Sequence, residues 1–258
     1  MKYEKVKLKK TTPDLKNLIF HGSSVLFIGK HESIRMLFEL QRLHIKGLKI
    51  YDYRQSLSAK VAVRAGYGER IFSEEINDDA MKKQMYAGIN NMEYIPCNVS
   101  DDLINKYPNI YKKIKSPFTQ EMITVGKAIR PEVAIIHVPR CDIYGNIQVD
   151  PTDKIEEMEN LRLALCASHI IVTAEQIVTS KAIQMNQRNM VMESDRIDFV
   201  METPYGSFPT CEEGRYRADE MDDVQLLKVI EEYKDWERWI NDIDVMKLLR
   251  LTTNRRGE

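Results

Sequence analysis

The amino-acid sequence predicts an α/β fold with a mostly parallel sheet flanked by helices, on three observations. An apolar run of strand formers, a stretch with helical spacing and a second apolar run follow one another within residues 24–51. Residues 133–138 (VAIIHV) and 169–173 (HIIVT) are short continuous apolar runs, typical of strands covered on both faces. Residues 160–167 lie between these two runs and read as a helix, which completes a second strand–helix–strand unit.

The first helix is predicted from apolar residues at spacings of three and four within residues 34–45. Ser33 precedes it and is expected to cap its start, and Gly47 stands where such a helix is expected to stop. The next strand is predicted over residues 48–51. This order predicts a parallel strand pair with a helical crossover.

The rest of the chain shows weaker patterns. Short strands are predicted at residues 92–95 and 196–201, and irregular structure with short helices across the polar, proline-containing residues 100–121. Apolar residues at helical spacing predict one or two amphipathic helices within about residues 222–250, packed on the sheet. Because no repeat or composition break interrupts the chain, we expect a single domain over residues 1–258.

Composition and charge exclude several classes of protein. Hydrophobic residues make up 43% of the 258 residues, which is ordinary globular composition. The net charge of −1 provides no drive toward nucleic acid or an acidic membrane. Residues 1–10 lack the apolar core of a signal peptide, and no run approaches the roughly 20 apolar residues of a membrane span. We expect a cytoplasmic protein without membrane or nucleic-acid partners.

Common catalytic and metal signatures are absent from the sequence. There is no GxGxxG after the first strand, no P-loop, no HExxH and no GxSxG. The four cysteines form no CxxC pair and are expected to be reduced thiols, and no metal site is expected. His137 lies inside a predicted strand and is interpreted as a core histidine with satisfied hydrogen bonds.

Three stretches have compositions that periodicity does not explain. Residues 116–121 (SPFTQE) suit a rigid turn or, alternatively, a helix start capped by Thr119. Residues 139–148 directly follow an apolar strand and suit a tight hairpin-like turn, at a sheet edge where α/β proteins bind ligands. Residues 203–210 carry two prolines and one glycine and predict an ordered loop.

These stretches resemble, in order and spacing, the A subunits of the family I coenzyme A (CoA) transferases, in particular the glutaconate CoA-transferase branch. Residues 117–121 resemble that family's PFTGE, and residues 131–146 resemble its PDVAIIHVxRADxxGN. Residues 171–178 resemble the following strand, and residues 204–219 resemble PfGAhPxxxxGxYxxD. The resemblance covers about residues 15–245.

The resemblance implies a CoA-transferase-like fold of the NagB/RpiA type and a B subunit of similar size and fold. In this family the catalytic glutamate belongs to the B subunit; it attacks an acyl-CoA, becomes a glutamyl-CoA thioester and passes CoA to a carboxylic acid. No catalytic residue is then expected in this chain and no permanently bound cofactor, with the CoA thioester and the carboxylic acid as substrates. The residues expected to line the substrate pocket are Gly29, Lys30, Phe118, Thr119, Arg140, Asp142, Gly145 and Asn146.

Two positions depart from the family pattern. The family's glycine-rich loop after the first strand is reduced to Gly29, and Lys30, His31 and Arg35 instead bring positive charge to a helix start, where a phosphate or carboxylate can bind. Gln120 replaces the glycine of PFTGE, which suggests that the turn does not need a glycine's backbone freedom.

The departures keep two alternatives open. Some relatives of this fold are ring-opening CoA-thioester hydrolases in which an A-subunit glutamate takes part, and the candidates for it here are Glu74 and Glu75. The other alternative is a non-catalytic structural or regulatory partner subunit.

Overall fold

The computed structural model describes residues 12–70, 78–150, 155–210, 215–216 and 218–243. Its strands are β1 (Ser24–Phe27), β2 (Leu48–Asp52), β3 (Gly68–Arg70), β4 (Tyr94–Pro96), β5 (Tyr111–Lys115), β6 (Met122–Lys127), β7 (Val133–Asp142), β8 (Ile147–Gln148), β9 (His169–Val178), β10 (Met190–Met192) and β11 (Phe199–Glu202). Its helices are α1 (Ile34–Arg42), α2 (Leu57–Arg64), α3 (Asp78–Ile89), α4 (Asp101–Lys106), α5 (Ile155–Arg162), α6 (Ser180–Met185), α7 (Asp223–Tyr233) and α8 (Trp236–Asp242).

The main sheet confirms the predicted α/β class with a mostly parallel sheet. Its parallel strands lie in the order β11-β9-β7-β1-β2-β3, with Val25 of β1 opposite Val133 of β7 on one side and Ile50 of β2 on the other. Strand β9 pairs with one edge of β7 along the whole length of β7. The antiparallel β8 therefore pairs with the other edge of β7, which also carries β1, and lies beyond the carboxyl end of β1. β10 pairs with β8.

Both faces of this sheet are buried, which explains its continuous apolar runs. Successive residues of a strand point to opposite faces. Val133 and Ile135 of β7 belong to the apolar cluster that includes α1, α2 and the C-terminal helices, whereas Ala134 and Ile136 belong to the cluster on the other face with α3 and α5. An alternating pattern is therefore absent from β7.

Helix α1 has no side-chain cap at its start and ends in a backbone cap. Ser33 occupies the predicted N-cap position, but its side chain makes no capping hydrogen bond. At the other end His44 adopts a left-handed φ of 55°, and the Ile45 amide donates to the Leu40 carbonyl at 3.0 Å. This is a Schellman ending, so the prediction that Gly47 stops the helix is wrong.

A second sheet, antiparallel and of order β4-β6-β5, corrects the prediction for residues 100–121. The predicted short helix is present as α4, but the irregular structure expected after it contains β5. The sequence of β5 is YKKIK, in which Tyr111 is fully buried and the three lysines hide the strand pattern. The strand predicted at residues 92–95 is confirmed as β4.

The predicted C-terminal helices are present as α7 and α8, but they contact the helices α1 and α2 where packing on the sheet was expected; Arg64 of α2, for example, lies 2.8 Å from Asp223 of α7. Trp236 and Trp239 are buried, and both rings contact Phe38 of α1 at centroid distances of 5.3 and 5.4 Å. Within the part of the chain that the structure describes, no helix combines the length and apolar character of a membrane span.

Candidate functional site

The turn between β7 and β8 gathers three of the residues predicted for the pocket. The fully buried Asp142 carboxylate accepts backbone N–H bonds at its Oδ1 from Tyr144 (3.0 Å), Gly145 (3.0 Å) and Asn146 (2.9 Å). Its Oδ2 accepts from Asn146 Nδ2 at 2.8 Å. The hairpin-like turn expected from the sequence is present, and Asp142 closes it.

Gly145 and Asn146 join this turn to the segment before β11. Gly145 has a φ of +102°, and a Cβ built on it would lie 2.9 Å from Ile197 Cβ, so both conformation and space favour glycine. Asn146 Oδ1 accepts from the Ser194 amide at 3.0 Å. These contacts hold the turn against its neighbours within the chain.

Arg140 stands on β7 between β8 and β9, opposite Gln148 and Gln176. Its guanidinium lies 3.4 Å from the Asp150 carboxylate, and its side chain remains 33% exposed. Among the predicted residues near the turn, Arg140 therefore presents positive charge to solvent.

The loop after β1 keeps one glycine and one exposed lysine. Gly29 has a φ of +126°, and a Cβ at this position would lie 3.1 Å from Leu161 of α5. Lys30 is exposed, whereas His31 is buried. Glu32 anchors the loop, because its carboxylate accepts from the backbone amides that start α2 and from Ser58 Oγ, at 2.7–2.9 Å.

Arg35 does not supply the anion-binding charge that the sequence suggests. Its guanidinium lies 2.6 Å from the Glu39 carboxylate and 3.2 Å from that of Glu237, and it stacks over Trp236. Its cation is therefore directed toward the C-terminal helices.

Phe118 and Thr119 lie in the turn of the β5–β6 hairpin. Ser116 Oγ accepts from the amides of both residues at 3.3 Å, so the rigid turn is present and the alternative helix start is wrong. The side chain of Phe118 is 94% exposed, which leaves its ring almost entirely in solvent. The structure therefore does not bring Phe118 together with the predicted residues of the main sheet.

Gln120 corrects a sequence expectation. Its φ is +64°, so the turn does use the left-handed conformation that glycine provides in the family pattern. Glutamine adopts this conformation at an energetic cost of about 1–2 kcal/mol.

A buried polar network joins β7, β9 and the segment after β11. The sequence predicted its histidine, His137, as a core residue, but did not predict the network. His137 is fully buried, with Nδ1 2.8 Å from Thr173 Oγ1 and Nε2 2.9 Å from Glu175 Oε1. The same Glu175 oxygen accepts from the Tyr216 hydroxyl at 2.6 Å, and the other from the Tyr205 amide at 2.8 Å.

Glu175 is ionised in this setting despite its burial. Burial raises the pKa of its carboxyl, but the hydrogen bonds from His137 and Tyr216 outweigh that effect and hold the pKa below its ordinary value. The network fixes the loop after β11, where a Cβ on Gly206 would lie 2.7 Å from His137 Cε1. The Gly206 carbonyl in turn accepts from the Arg35 amide, so the network is connected to the start of α1.

A second polar cluster lies at the carboxyl end of β2. Burial raises the pKa of the Asp52 carboxyl, although the Arg70 guanidinium at 3.3 Å opposes the shift. Arg54 and Gln55 both have left-handed φ values, 60° and 53°, and Arg54 reaches Glu156 of α5 at 2.7 Å. Two consecutive left-handed side-chain-bearing residues are uncommon and often mark functional loops. No sequence pattern indicated them.

Glu74 and Glu75, the candidates for a hydrolytic role, lie outside the described residues, and so does Cys211. The other three cysteines are buried thiols that form no disulfide among the described residues.

Sequence comparisons give two distant curated relatives. The chain is 26% identical over 204 residues to an uncharacterized protein of Archaeoglobus fulgidus, covering 69% of this chain and 45% of that protein. It is 28% identical over 160 residues to the A subunit of the 3-oxoadipate CoA-transferase of Pseudomonas knackmussii, covering 61% and 54%. The chain thus spans about half the length of the curated relatives it matches. No protein-family model matches the chain.

Structure comparisons show the fold. The glutaconate CoA-transferase of Acidaminococcus fermentans matches with a TM-score of 0.76 over 94% of both chains, at 16% identity. A variant of the decarboxylase AibA/AibB matches with a TM-score of 0.65 over 92% of this chain and 98% of that one, at 18% identity. The acyl-CoA transferase YdiF of E. coli O157:H7 matches at 0.58, covering 78% and 50% of the two chains, at 11% identity. The resemblance to the A subunits of family I CoA-transferases is confirmed, and the chain has the CoA-transferase fold.

Proposed function

We propose that this chain is the A subunit of a heteromeric CoA-transferase that moves CoA between an acyl-CoA and a carboxylic acid. The observation that carries the proposal is the match to glutaconate CoA-transferase over 94% of both chains. The independent sequence similarity to a protein named as the A subunit of a CoA-transferase supports the same activity.

The B subunit supplies the catalytic glutamate in this proposal. The carboxylate attacks the thioester carbonyl and CoA is expelled as a thiolate, leaving an acyl–glutamyl anhydride. The thiolate then attacks the glutamyl carbonyl, releasing the first acid and forming the glutamyl-CoA thioester. The same steps in reverse load the second acid, so two moderate barriers replace one high barrier. Backbone N–H groups stabilise each tetrahedral oxyanion.

This chain provides part of the pocket wall at the carboxyl edge of its parallel sheet, the usual ligand edge of α/β folds. Gly29 and Lys30 follow β1 after one intervening residue, and the exposed Lys30 is assigned to an anionic group of the substrate. The partly exposed Arg140 guanidinium takes a second carboxylate or phosphate oxygen. Asp142, Gly145 and Asn146 hold the adjoining turn in place. Phe118 and Thr119 lie in the turn of the β5–β6 hairpin. They line the pocket only if the B subunit packs beside this hairpin.

The second candidate function is a ring-opening CoA-thioester hydrolase. One observation favours it: the loop after β1 has kept only Gly29 of the family's glycine-rich loop. This enzyme would add water and would need no acceptor acid, and Glu74 or Glu75 would be the general base.

The test is native mass spectrometry of the tagged chain purified from its own host, followed by assays on what is purified. We expect a second chain of comparable mass in equal amount. With glutaconyl-CoA or 3-oxoadipyl-CoA and acetate, we expect acetyl-CoA without net release of CoA, and a CoA thioester on the partner chain only. Product formation that needs no acceptor acid would favour the hydrolase. A complex without either activity would favour the non-catalytic partner, and a lone chain would refute the proposal.

A further inference from the structure

The first turn of α1 is capped by a carbonyl from a distant segment of the chain. The first amides of a helix have no hydrogen-bond partner within the helix and need one from elsewhere. Ser33 occupies the N-cap position, but its side chain makes no capping bond. The Arg35 amide donates instead to the Gly206 carbonyl at 3.0 Å. The segment after β11 therefore supplies a cap that the residues around Ser33 do not supply.

The Glu175 carboxylate of β9 holds this segment on both sides of Gly206. Its Oε2 accepts from the Tyr205 amide at 2.8 Å. Its Oε1 accepts from the Tyr216 hydroxyl at 2.6 Å, and the same hydroxyl accepts from the Ser207 amide at 3.3 Å. One carboxylate thus fixes the two amides that flank Gly206, the first directly and the second through Tyr216.

The segment is held by these contacts and not by its own backbone preference. Tyr205 has a left-handed φ of 61°, which is unfavourable for a residue with a side chain. On its inner side Gly206 is in close contact, because a Cβ built on it would lie 2.6 Å from Thr203 Oγ1 and 2.7 Å from His137 Cε1. The segment has no room to move inward, and Glu175 opposes movement outward.

The network lies beside the loop that follows β1. In the parallel pairing of β1 with β7, Phe27 is opposite Ile135, and the Ile28 amide donates to the Ile135 carbonyl at 3.2 Å. Gly29 follows Phe27 by two residues, as His137 follows Ile135. Because neighbouring strands lie about 4.8 Å apart, the loop leaves β1 at the level of the His137 side of the network.

The loop of residues 28–33, which carries Lys30, is therefore fixed from three directions. β7 holds its start, and the Gly206 carbonyl holds the helix that follows it. Glu32 holds its middle through the amides that begin α2. Loss of the Gly206 cap removes one of these three anchors, so it displaces the loop without unfolding it.

We propose that Glu175 is a positioning residue for the substrate, because it holds the Gly206 carbonyl against α1 and thereby sets the place of Lys30 at the carboxyl edge of the sheet. The inference rests on the proposed function, in which Lys30 takes an anionic group of the acyl-CoA. Glu175 does not touch the substrate, since its side chain is 5% exposed and both of its oxygens accept hydrogen bonds within the chain. It acts on substrate binding and not on the chemical step.

The experiment uses the full chain purified with its partner, at a temperature where every variant is folded by urea titration. Glu175→Gln removes the charge at nearly constant size, and Tyr216→Phe removes only the hydroxyl. Glu202→Gln is the matched control, since Glu202 lies on the neighbouring β11 and its carboxylate accepts the Ile177 amide at 3.0 Å. We expect hydrogen exchange of residues 33–37 and 204–208 to be about tenfold faster in Glu175→Gln and unchanged in the control.

Steady-state kinetics test the consequence for the substrate. With acetate and glutaconyl-CoA or 3-oxoadipyl-CoA, whichever the wild type uses, Glu175→Gln is expected to raise the KM for acyl-CoA about 5–10-fold and to change kcat less than about twofold. Tyr216→Phe is expected to raise the same KM about 2–3-fold, because the direct bond to Tyr205 remains. In the Lys30→Ala background, Glu175→Gln is expected to add less than about twofold, since both substitutions then remove the same contact.

The outcomes separate this inference from the proposed function. If the transferase is active and Glu175→Gln raises KM equally with and without Lys30, Glu175 does not act through Lys30 and only this inference is refuted. Unchanged hydrogen exchange at the start of α1, or a fall in kcat at constant KM, refutes it as well. If Glu175→Gln does not fold, Tyr216→Phe decides by the same two measurements. A wild-type complex without transferase activity refutes both proposals.

Discussion

Replacing Asp142 by alanine tests whether the β7–β8 turn depends on one buried carboxylate. The substitution removes an acceptor that receives three backbone amides and one side-chain amide at 2.8–3.0 Å. Hydrogen bonds to a charged group contribute about 1.5–3 kcal/mol each, but bonds to one acceptor are not additive. The Gly145 amide also keeps a second acceptor, the Asp142 carbonyl at 3.1 Å. We therefore expect the free energy of unfolding to fall by about 4 kcal/mol, near the cost of breaking a buried charged network.

The assay is urea denaturation, supported by calorimetry. A loss of about 4 kcal/mol corresponds to a fall in Tm of about 8–16 °C for a chain of this size. Asp142→Asn is expected to lose about half as much, because its amide oxygen still accepts the backbone bonds while its NH2 faces the Asn146 amide. Asp150→Ala is the control, since its ion pair with Arg140 at 3.4 Å is partly exposed and contributes less than about 1 kcal/mol. If Asp142→Ala is no less stable than this control, the carboxylate does not hold the turn and the reasoning is wrong.

Three further predictions concern backbone conformation and burial. Glu175→Gln is expected to lower the free energy of unfolding at neutral pH. Because the folded-state pKa of Glu175 lies below its ordinary value of 4.5, the free energies of unfolding of wild type and variant are expected to converge as the pH falls below about 4.5. Parallel pH profiles of the two free energies would contradict this. Gln120→Gly relieves the left-handed strain and is expected to stabilise the chain by about 0.5 kcal/mol, whereas Gln120→Val destabilises it by about 1 kcal/mol, as measured by thermal melting; the reverse order would refute the strain argument. Gly206→Ala brings a methyl group within 2.7 Å of His137 and is expected to lower the free energy of unfolding by at least about 2 kcal/mol. Gly66→Ala, in open space but at a φ of +70°, is expected to lower it by about 1 kcal/mol. Equal losses in urea titrations would show that the crowding at Gly206 is relieved.

Part of the candidate site was predictable because it depends on short-range chemistry. A buried strand followed within ten residues by Asp142, Gly145 and Asn146 predicts a hairpin turn, since an aspartate can accept amides a few residues ahead and glycine tolerates the left-handed backbone. The position of Gly29 after β1 follows from the same local reasoning. These features do not require knowledge of distant contacts.

Other parts could not be predicted from local pattern. Glu175 looks like one polar residue in an apolar strand, and its partners His137 and Tyr216 are 38 and 41 positions away. The strained pair Arg54 and Gln55 carries no turn signature, because neither residue favours a left-handed φ. β5 was missed because its three lysines conceal the single buried Tyr111.

The sequence was sufficient to predict the fold class, the apolar runs that form parallel strands, the β7–β8 turn and the resemblance to the A subunits of CoA-transferases. These properties rest on hydrophobic periodicity, turn chemistry and motif spacing, which act over a few residues at a time. Only the tertiary structure decided that Arg35 faces the C-terminal helices, that Glu175 ionises in the interior and that Phe118 stands almost fully in solvent. Burial, partner and exposure depend on which distant segments pack together, and a linear pattern does not specify that packing.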